Sequence, residues 1–454
     1  MAAWFKNPFT QQKKDITLGT VARITQAYTT NTNNVTAYVN EGYAGSAGVY
    51  AIVNLIARKF ASIPFYVYNV KELKEFTKYK GMLALMKSPT PETIHLLTKQ
   101  REKALDLYTD TDEMSRLLQK PNQYQGIYDL MEQLCGWREI AGMSCLWGQP
   151  AGLVNKKPVE LHVLPASQIQ IKGDARDINK VSEYHLSSFP DKSFAGDEVL
   201  RWIYWSPYWD AYTRAHLYGL SPIKAAAYNV DAYNNADKAT NSMFENKGAE
   251  GFLFGKGMVI PPDKVDKLQL TLDERFNGFM NKGKVTAFGS EVGYTQVGMS
   301  ATDLQLLEAK QYCFETLCNV YNVPSQVFAD DKGSTYNNKT GAMTQMVTNN
   351  IIPKWCSFRD LLNGFLLPKF NAVGNQFIDF DVSELPEMQK DINALLTALN
   401  SASFLTGNEK RRMIDYDDYP DPLMDEIMVM PGLVPIKDSQ IEPEPEGDEG
   451  DYKR

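Results

Sequence analysis

Several stretches of the chain carry residue types from which chemistry can be built. GFLFGKGM at 251–258 approaches a phosphate loop, but only three residues separate Gly251 from Gly255, and Gly257 follows Lys256. A Walker loop needs four residues there, so that backbone N–H groups wrap the phosphates, and a hydroxyl after the lysine to reach the metal. Nucleotide hydrolysis is therefore not expected. Asp330-Asp331 could be paired catalytic carboxylates, yet within DDKGSTYNNKTG (330–341) they read better as a solvated turn. DYDDYPD (415–421) offers oxygen ligands for a divalent cation; a surface acidic loop is the simpler reading. Cys313 and Cys318, five apart on one predicted helix, are poorly spaced for a shared metal and read as buried thiols. The aromatic cluster Trp202, Tyr204, Trp205, Tyr208, Trp209 and Tyr212 could stack bases, but few cations lie nearby. A packed strand and loop, in a core or a subunit interface, suits it better. Lys332, Lys339 and Lys354 around the polar loop could touch phosphates; taken alone they read as solvated lysines. The four histidines are far apart, which argues against zinc. No G-x-S-x-G, H-E-x-x-H or Rossmann fingerprint occurs. Catalytic residues, cofactor and metal are all expected to be absent.

What must position such groups is a large chain. Its 454 residues predict two to four domains. With 43% apolar and 22% charged residues, wholesale disorder is excluded. From Asp415 onward there are 13 acidic and 3 basic residues, a net of −10; taken from the −8 of the whole chain, that leaves +2 for residues 1–414. No basic arm announces tight nucleic-acid binding. The longest nearly apolar run, Ala47–Ala57, is interrupted by Asn54 and is about half of the ~20 residues a spanning helix needs. The N-terminal stretch has no apolar signal core. Five cysteines form no C-x-x-C pair and are expected to be reduced, in a cytosolic setting.

Residues 1–45 are polar and read as an extended or loosely ordered arm. Val49, Ile52, Val53, Ile56 and Phe60 recur at helical spacing, and Pro64 ends that helix before a strand at PFYVYNV. Helix-favouring charged segments fill 71–113 around the turn SPTP at 88–91, and a helix is expected at about 126–143. Two short strands surround Pro165 within 158–172, and another runs through 198–205. A helix of about 26 residues at 221–247 has Ser221 as N-cap and Pro222 at its first position; it would be roughly 39 Å long. Its small apolar positions and many asparagines suit close packing against identical neighbours, with a polar side to water. A second long helix is expected at 303–322, opened by a capping box from Ser300 to Asp303 and stopped by Pro324. Between them lies an insert of about fifty residues, as in an antiparallel stalk with a cap. A polar loop at 330–341, a helix broken near Pro353, a strand at QFIDFDV and short helices at 388–401 and 407–415 follow. The tail EPEPEGDEGDYKR reads as disordered.

The order of these segments resembles the portal proteins of tailed bacteriophages, in the shorter-chain branch. The matching segments are GVYAIVNLIARKFASIPFYVY (48–68), LLQKPNQYQGIYDLMEQL (117–134), PVELHVLPASQIQI (158–171), GLSPIKAAA (219–227), FENKGAEGFLF (244–254), the run 284–328, TYNN (335–338), LTGNEKRRM (405–413) and YPDP (419–422). Each is weak alone; the shared order is specific. The resemblance spans about 46–425, although 70–111 is longer than the family pattern and the crown end is short.

The resemblance implies an α+β portal-type fold. Its parts would be an N-terminal arm (1–45), an α/β wing (46–220), two long stem helices (221–248 and 301–324) flanking a small α/β clip (249–300), a tunnel loop, kinked helix and wing return (325–386), a short helical crown (387–430) and a disordered acidic tail (431–454). It implies a dodecameric ring at one capsid vertex of a virion, assembled in the host cytoplasm, with no membrane. Double-stranded DNA would pass through during packaging and ejection. The large terminase, then the head–tail adaptor, would dock on it, beside the major capsid protein. Lys332, Ser334, Asn337, Asn338 and Lys339 would face DNA as the tunnel loop. Another structural virion connector, or a nucleic-acid-processing packaging enzyme, would be the alternatives; the latter needs a phosphate loop or carboxylate cluster, and the helix–insert–helix order argues against the former.

Overall fold

The helical spacing at 46–61 yields helix α1 (Ala47–Ala61), whose predicted apolar residues are all 0–1% exposed. The computed structural model describes residues 35–87, 89–107, 112–152, 156–174, 177–209, 215–245, 251–255, 292–296, 306–328, 336–383, 385–388, 392–402, 404–414, 416–429 and 434–435. The arm differs from expectation where it is described: Val35–Ala37 and Tyr38–Tyr43 are helical, the second π-wound, because Tyr38, 2% exposed, has a buried seat.

Pro64 ends the first helix as expected, and β1 (Phe65–Val70) follows. Then come α2 (Leu73–Met82), α3 (Pro91–Ala104), β2 (Leu105–Leu107), α4 (Glu113–Gln119) and α5 (Ile127–Ala141). The SPTP turn works as a helix start: Thr90 accepts the Thr93 N–H in a reciprocal capping box, with Pro91 at the first position. Gly142 ends α5 in the left-handed region at φ 77°. A side chain there would lie 2.5 Å from the Leu220 backbone, so glycine is required twice over.

Six strands in two further antiparallel sheets follow: β3 (Met143–Pro150), β4 (Pro158–Leu164), β5 (Ile169–Gly173), β6 (Val181–Leu186), β7 (Phe189–Ala195) and β8 (Val199–Ile203). One sheet has the order β4-β3-β8, with Leu146 opposite Val163 and Leu200. A second has the order β5-β6-β7, with Tyr184 between Ile171 and Phe194. The third closes over a long sequence gap: β11 (Gln376–Phe380) pairs with β1, Val67 opposite Ile378, and β1 pairs with β2.

The long elements come between. They are α6 (Pro222–Ala225), α7 (Ala227–Glu245), the antiparallel pair β9 (Gly251–Gly255) and β10 (Val292–Gln296), then α8 (Leu306–Val320), α9 (Tyr336–Met346), a π-wound turn (Val347–Ile351) and α10 (Ile352–Leu366). The chain divides into two compact units, Met1–Ser383 and Glu384–Arg454. In the first, Phe60, Trp202, Trp355 and Phe358 form an aromatic centre, each at most 1% exposed. Phe60 stacks on Trp355 at 4.5 Å between centroids and lies 5.3 Å from Trp202. The second unit holds α11 (Ile392–Ser401) and α12 (Gly407–Met413), the latter opened by a Thr406–Glu409 capping box. No helix among the described residues is long and apolar enough to cross a membrane.

Candidate functional site

The two rods pair as antiparallel helices. Asp237 of α7 bonds Lys310 of α8 at 2.5 Å, and Tyr233 faces Phe314 at 6.3 Å; four residues forward on one rod is four back on the other. The Asp237 carboxylate holds the Lys310 ammonium above its ordinary range. Between the rods in sequence, β9 and β10 pair antiparallel, Gly251 opposite Gln296 and Gly255 opposite Val292. Residues 256–291, most of the expected insert, lie outside the described residues, as do the expected capping box at 300–303 and Gly248.

The first rod departs from the expected single helix. Ser221 caps it as predicted, its Oγ accepting the Ile223 N–H at 3.1 Å. The same hydroxyl donates to the Ile140 carbonyl at 2.6 Å, tethering the first turn to the end of α5. Ala226, at φ −98° and ψ 12°, leaves the helical region and takes up the offset before α7 begins.

The expected tunnel loop is shorter than 330–341, since helix α9 already starts at Tyr336. Nothing in YNNKTGAMTQM forbids helix: it lacks proline, and Gly341 is tolerated. Asn337 therefore sits on that helix, and Asn338 and Lys339 are exposed on it. Lys332 and Ser334, with Asp330 and Asp331, lie outside the described residues.

Lys354 is the clear correction. It was expected near the loop as a solvated or phosphate-touching lysine, but it is 8% exposed and ion-paired to Glu139 at 3.1 Å. It also donates to Asn350 Oδ1. Glu139, 0% exposed, accepts the Tyr204 hydroxyl at 2.8 and 2.9 Å. Burial first, then that carboxylate, lifts the Tyr204 phenol well above its ordinary range.

This polar node joins three parts of the chain. Asn350 Nδ2 donates to the Tyr321 and Asn322 carbonyls at 2.7 and 3.1 Å, just past the end of α8. Asn322, in the left-handed region at φ 54°, donates from Nδ2 to the Asn349 carbonyl at 3.0 Å. That carbonyl is the one Pro353 cannot serve, because proline has no N–H to offer the residue four back. The break expected near Pro353 is thus a one-turn π bulge, capped from outside the helix. The node lies where the second rod ends and where the helix after the polar loop takes its π turn, against the end of α5.

The other candidates resolve individually. The aromatic cluster splits: Trp202 is core and Tyr204 belongs to the node, while Trp205, Tyr208 and Trp209 are 81%, 50% and 62% exposed; Tyr212 is outside the described residues. Cys318 is 0% exposed, and burial pushes its thiol up to about 12. In DYDDYPD, Asp418 is held by Arg412 through two 2.7 Å bonds and Asp421 caps the turn at Leu423. Among the described residues no acid, cysteine and histidine group could hold a metal. The long stretch 70–111 is locked down where described. Tyr79 donates to the buried Asp379, Arg101 bonds Asp381, and β2 extends the first sheet. Burial raises the Asp379 carboxyl.

Arg138, Glu139 and Asn350 were not singled out from the sequence. The available signal was a charged pair, WRE at 137–139, placed against the apolar face of an otherwise core-forming helix.

Residues 93–415 match the family model described as phage portal protein. Two curated relatives, an uncharacterized protein of Rickettsia bellii (strain RML369-C) and one of Rickettsia felis (strain ATCC VR-1525 / URRWXCal2), are each 23% identical over 82% of this chain and 87% of their own length. Among solved structures, the neck of an empty gene transfer agent particle computed with C6 symmetry aligns with a TM-score of 0.58 at 20% identity, over 85% of this chain and 94% of that chain. The neck of a native particle computed with C12 symmetry aligns at 0.53, with the same identity and coverage. At that identity these likenesses are of fold.

Proposed function

The chain belongs to the phage portal protein family, a family of structural connectors rather than enzymes, and from that premise we propose that about twelve copies close into a ring at one capsid vertex. Double-stranded DNA passes through the ring during packaging and ejection. The terminase docks on its insert side during packaging and the neck or tail adaptor takes over afterwards. In this reading residues 46–220 form the wing, the two rods the stem, 249–300 the clip, 325–386 the tunnel loop with kinked helix and wing return, and 387–430 the crown. The capsid vertex is reached from the host cytoplasm during assembly.

The observation that carries the reading is the antiparallel rod pair, with the antiparallel pair β9 and β10 falling between the two rods in sequence, in a mixed helix and sheet fold. Exposed apolar side chains on the rods, Tyr228 at 71%, Tyr312 at 69% and Val320 at 39%, give neighbouring copies something to bury. The C12 symmetry used for one fold neighbour supports twelve copies.

Charge favours passage over grip. Each lysine on a phosphate releases counterions and adds affinity, so a basic lining brakes the duplex. α7 carries three acids and one lysine, α8 two acids and one lysine. Residues 1–414 as a whole carry only +2. Lys339, exposed on α9, is a cation available at the DNA-facing end, repeated in every copy.

The test is duplex binding by the assembled protein across a salt series. Weak, steeply salt-dependent binding, reduced further by Lys339→Glu, is the expected result. Sub-nanomolar affinity at physiological salt, or nucleotide turnover by the chain alone that disappears with Lys256→Ala, contradicts the reading.

A further inference from the structure

The loop that follows β8 leaves large rings in water. Trp205, Tyr208 and Trp209 on it, and Tyr228 on the first rod, are each half or more exposed. Single apolar residues scattered over a surface are ordinary, but rings joined into one patch mark an interaction site. Contacts join these. The Lys224 ammonium lies 4.5 Å from the centre of the Tyr208 ring. Tyr228 follows Lys224 by four residues, and hydrogen bonds four residues back carry across the offset at Ala226, from Ala226 N–H to the Pro222 carbonyl and from Val230 N–H to the Ala226 carbonyl, both 3.0 Å. Lys224 and Tyr228 therefore share one face. In the other direction Trp209 stacks on His216 at 5.9 Å. His216 Nε2 donates to the Ile178 carbonyl at 2.8 Å, beside another exposed apolar side chain. The loop is anchored on both sides.

Four rings at these exposures offer about 500 Å² of aromatic surface, against the roughly 800 Å² that one partner gives to a stable interface of ordinary size. Tyr and Trp are also the side chains that carry most binding energy in such interfaces. Bases could stack on the rings, but a strand-binding groove tracks the backbone with cations. Among the described residues Lys224 is the one cation in contact with these rings. A partner that docks and leaves would return the rings to water each time, whereas a copy that stays keeps them covered. Permanent interfaces are the more apolar class for that reason. The patch also runs onto α7 at Tyr228, the rod that the ring reading gives to neighbouring copies. In a closed ring two different faces meet, so no second aromatic patch is required opposite.

We propose that this aromatic patch is the face on which the next copy of the chain is seated, with Trp205, Tyr208, Trp209 and Tyr228 as its anchors. The proposal rests on the ring reading and names where one copy grips the next.

The experiment uses the purified full chain, its particle mass followed by native mass spectrometry over a dilution series. The variants are Trp205→Glu and Tyr228→Glu, which put a charge into the patch at exposed positions, and a benzoylphenylalanine photo-crosslinker in place of Trp209. Each charge variant raises the concentration at which half of the copies are assembled by at least about tenfold, while dissociated copies unfold at the wild-type temperature. Illuminated rings yield adducts of two copies. Assembly of either charge variant at wild-type concentrations, or illuminated rings without such adducts, overturns the proposal and leaves the ring standing; the patch then serves a different protein. If a charge variant fails to fold or unfolds early, the crosslinker decides. Wild-type protein that stays monomeric at every concentration overturns the ring reading and this proposal together.

Discussion

Replacing Lys354 with methionine isolates the energetics of the node. The wild-type Glu139 carboxylate is 0% exposed and holds two partners, the Tyr204 hydroxyl at 2.8 Å and the Lys354 ammonium at 3.1 Å. Lys354→Met keeps most of the side-chain volume and removes the cation, so the carboxylate retains one hydroxyl and no ionic partner. Breaking one side of a buried ion pair costs about 3–5 kcal/mol. Glu139→Gln alone is also destabilising, since Lys354 then stays buried against Asn350 without an anion. The double variant removes both charges and leaves only hydrogen-bond losses of about 1–2 kcal/mol. The two substitutions should therefore couple by about 2 kcal/mol or more. Urea titrations of the four proteins supply the cycle, followed by tryptophan fluorescence, because Trp202 and Trp355 sit in the adjoining core. A single variant within 1 kcal/mol of wild type, or additive losses in the double variant, would refute this account of the node.

Two other perturbations test neighbouring parts. Asn322→Ala keeps the β-carbon at φ 54° but loses the polar side chain that lets asparagine tolerate that region, part of the roughly 1–2 kcal/mol left-handed penalty, and it also strips the cap from the Asn349 carbonyl. Asn322→Gly loses only the cap, so alanine must be the worse of the two in the same urea assay; the reverse order contradicts the π-bulge explanation. Burial over the Phe365 ring pulls Lys369 down to about 8 from an ordinary 10.5. The unfolded chain then keeps a proton that the folded chain has released, so stability rises with pH from about 8 to about 10.5. Subtracting the Lys369→Met profile from the wild-type profile should isolate that rise; a difference that is flat or falls with pH would contradict it.

Much of the fold was legible because it is written in local physics. Ser221 and Pro222 marked a helix start, Pro64 marked the end of α1, and Val49 to Phe60 gave the core face at helical spacing, while the turn at 88–91 was legible as a turn but not as the start of α3. Strand β3 was not legible: MSCLWGQP is buried on both faces at Met143–Leu146, so it shows no alternation to read. The hairpin of β6 and β7 escaped because SSFPDK at 187–192 looks like loop. In the candidate site the first rod was readable from its Ser221 cap and both from their helix-favouring runs, although the break at Ala226 was not. The node was not, because Glu139, Asn322 and Lys354 are about 180 and about 30 residues apart and meet only once both rods are built. Lys354 reads as a surface lysine in IIPKWC until its partner is known, and Asn338 and Lys339 read as loop because polar sequence and Gly341 hide a helix that tertiary packing supports.

The ring is tested most directly by the mass and outline of the purified full-length protein, from native mass spectrometry with negative-stain imaging of the same sample. Twelve-fold or near twelve-fold particles with an open axial hole are the predicted result. A population of single copies that stays monomeric at every concentration tried, with α7 and α8 protected from exchange by their own unit alone, would contradict it.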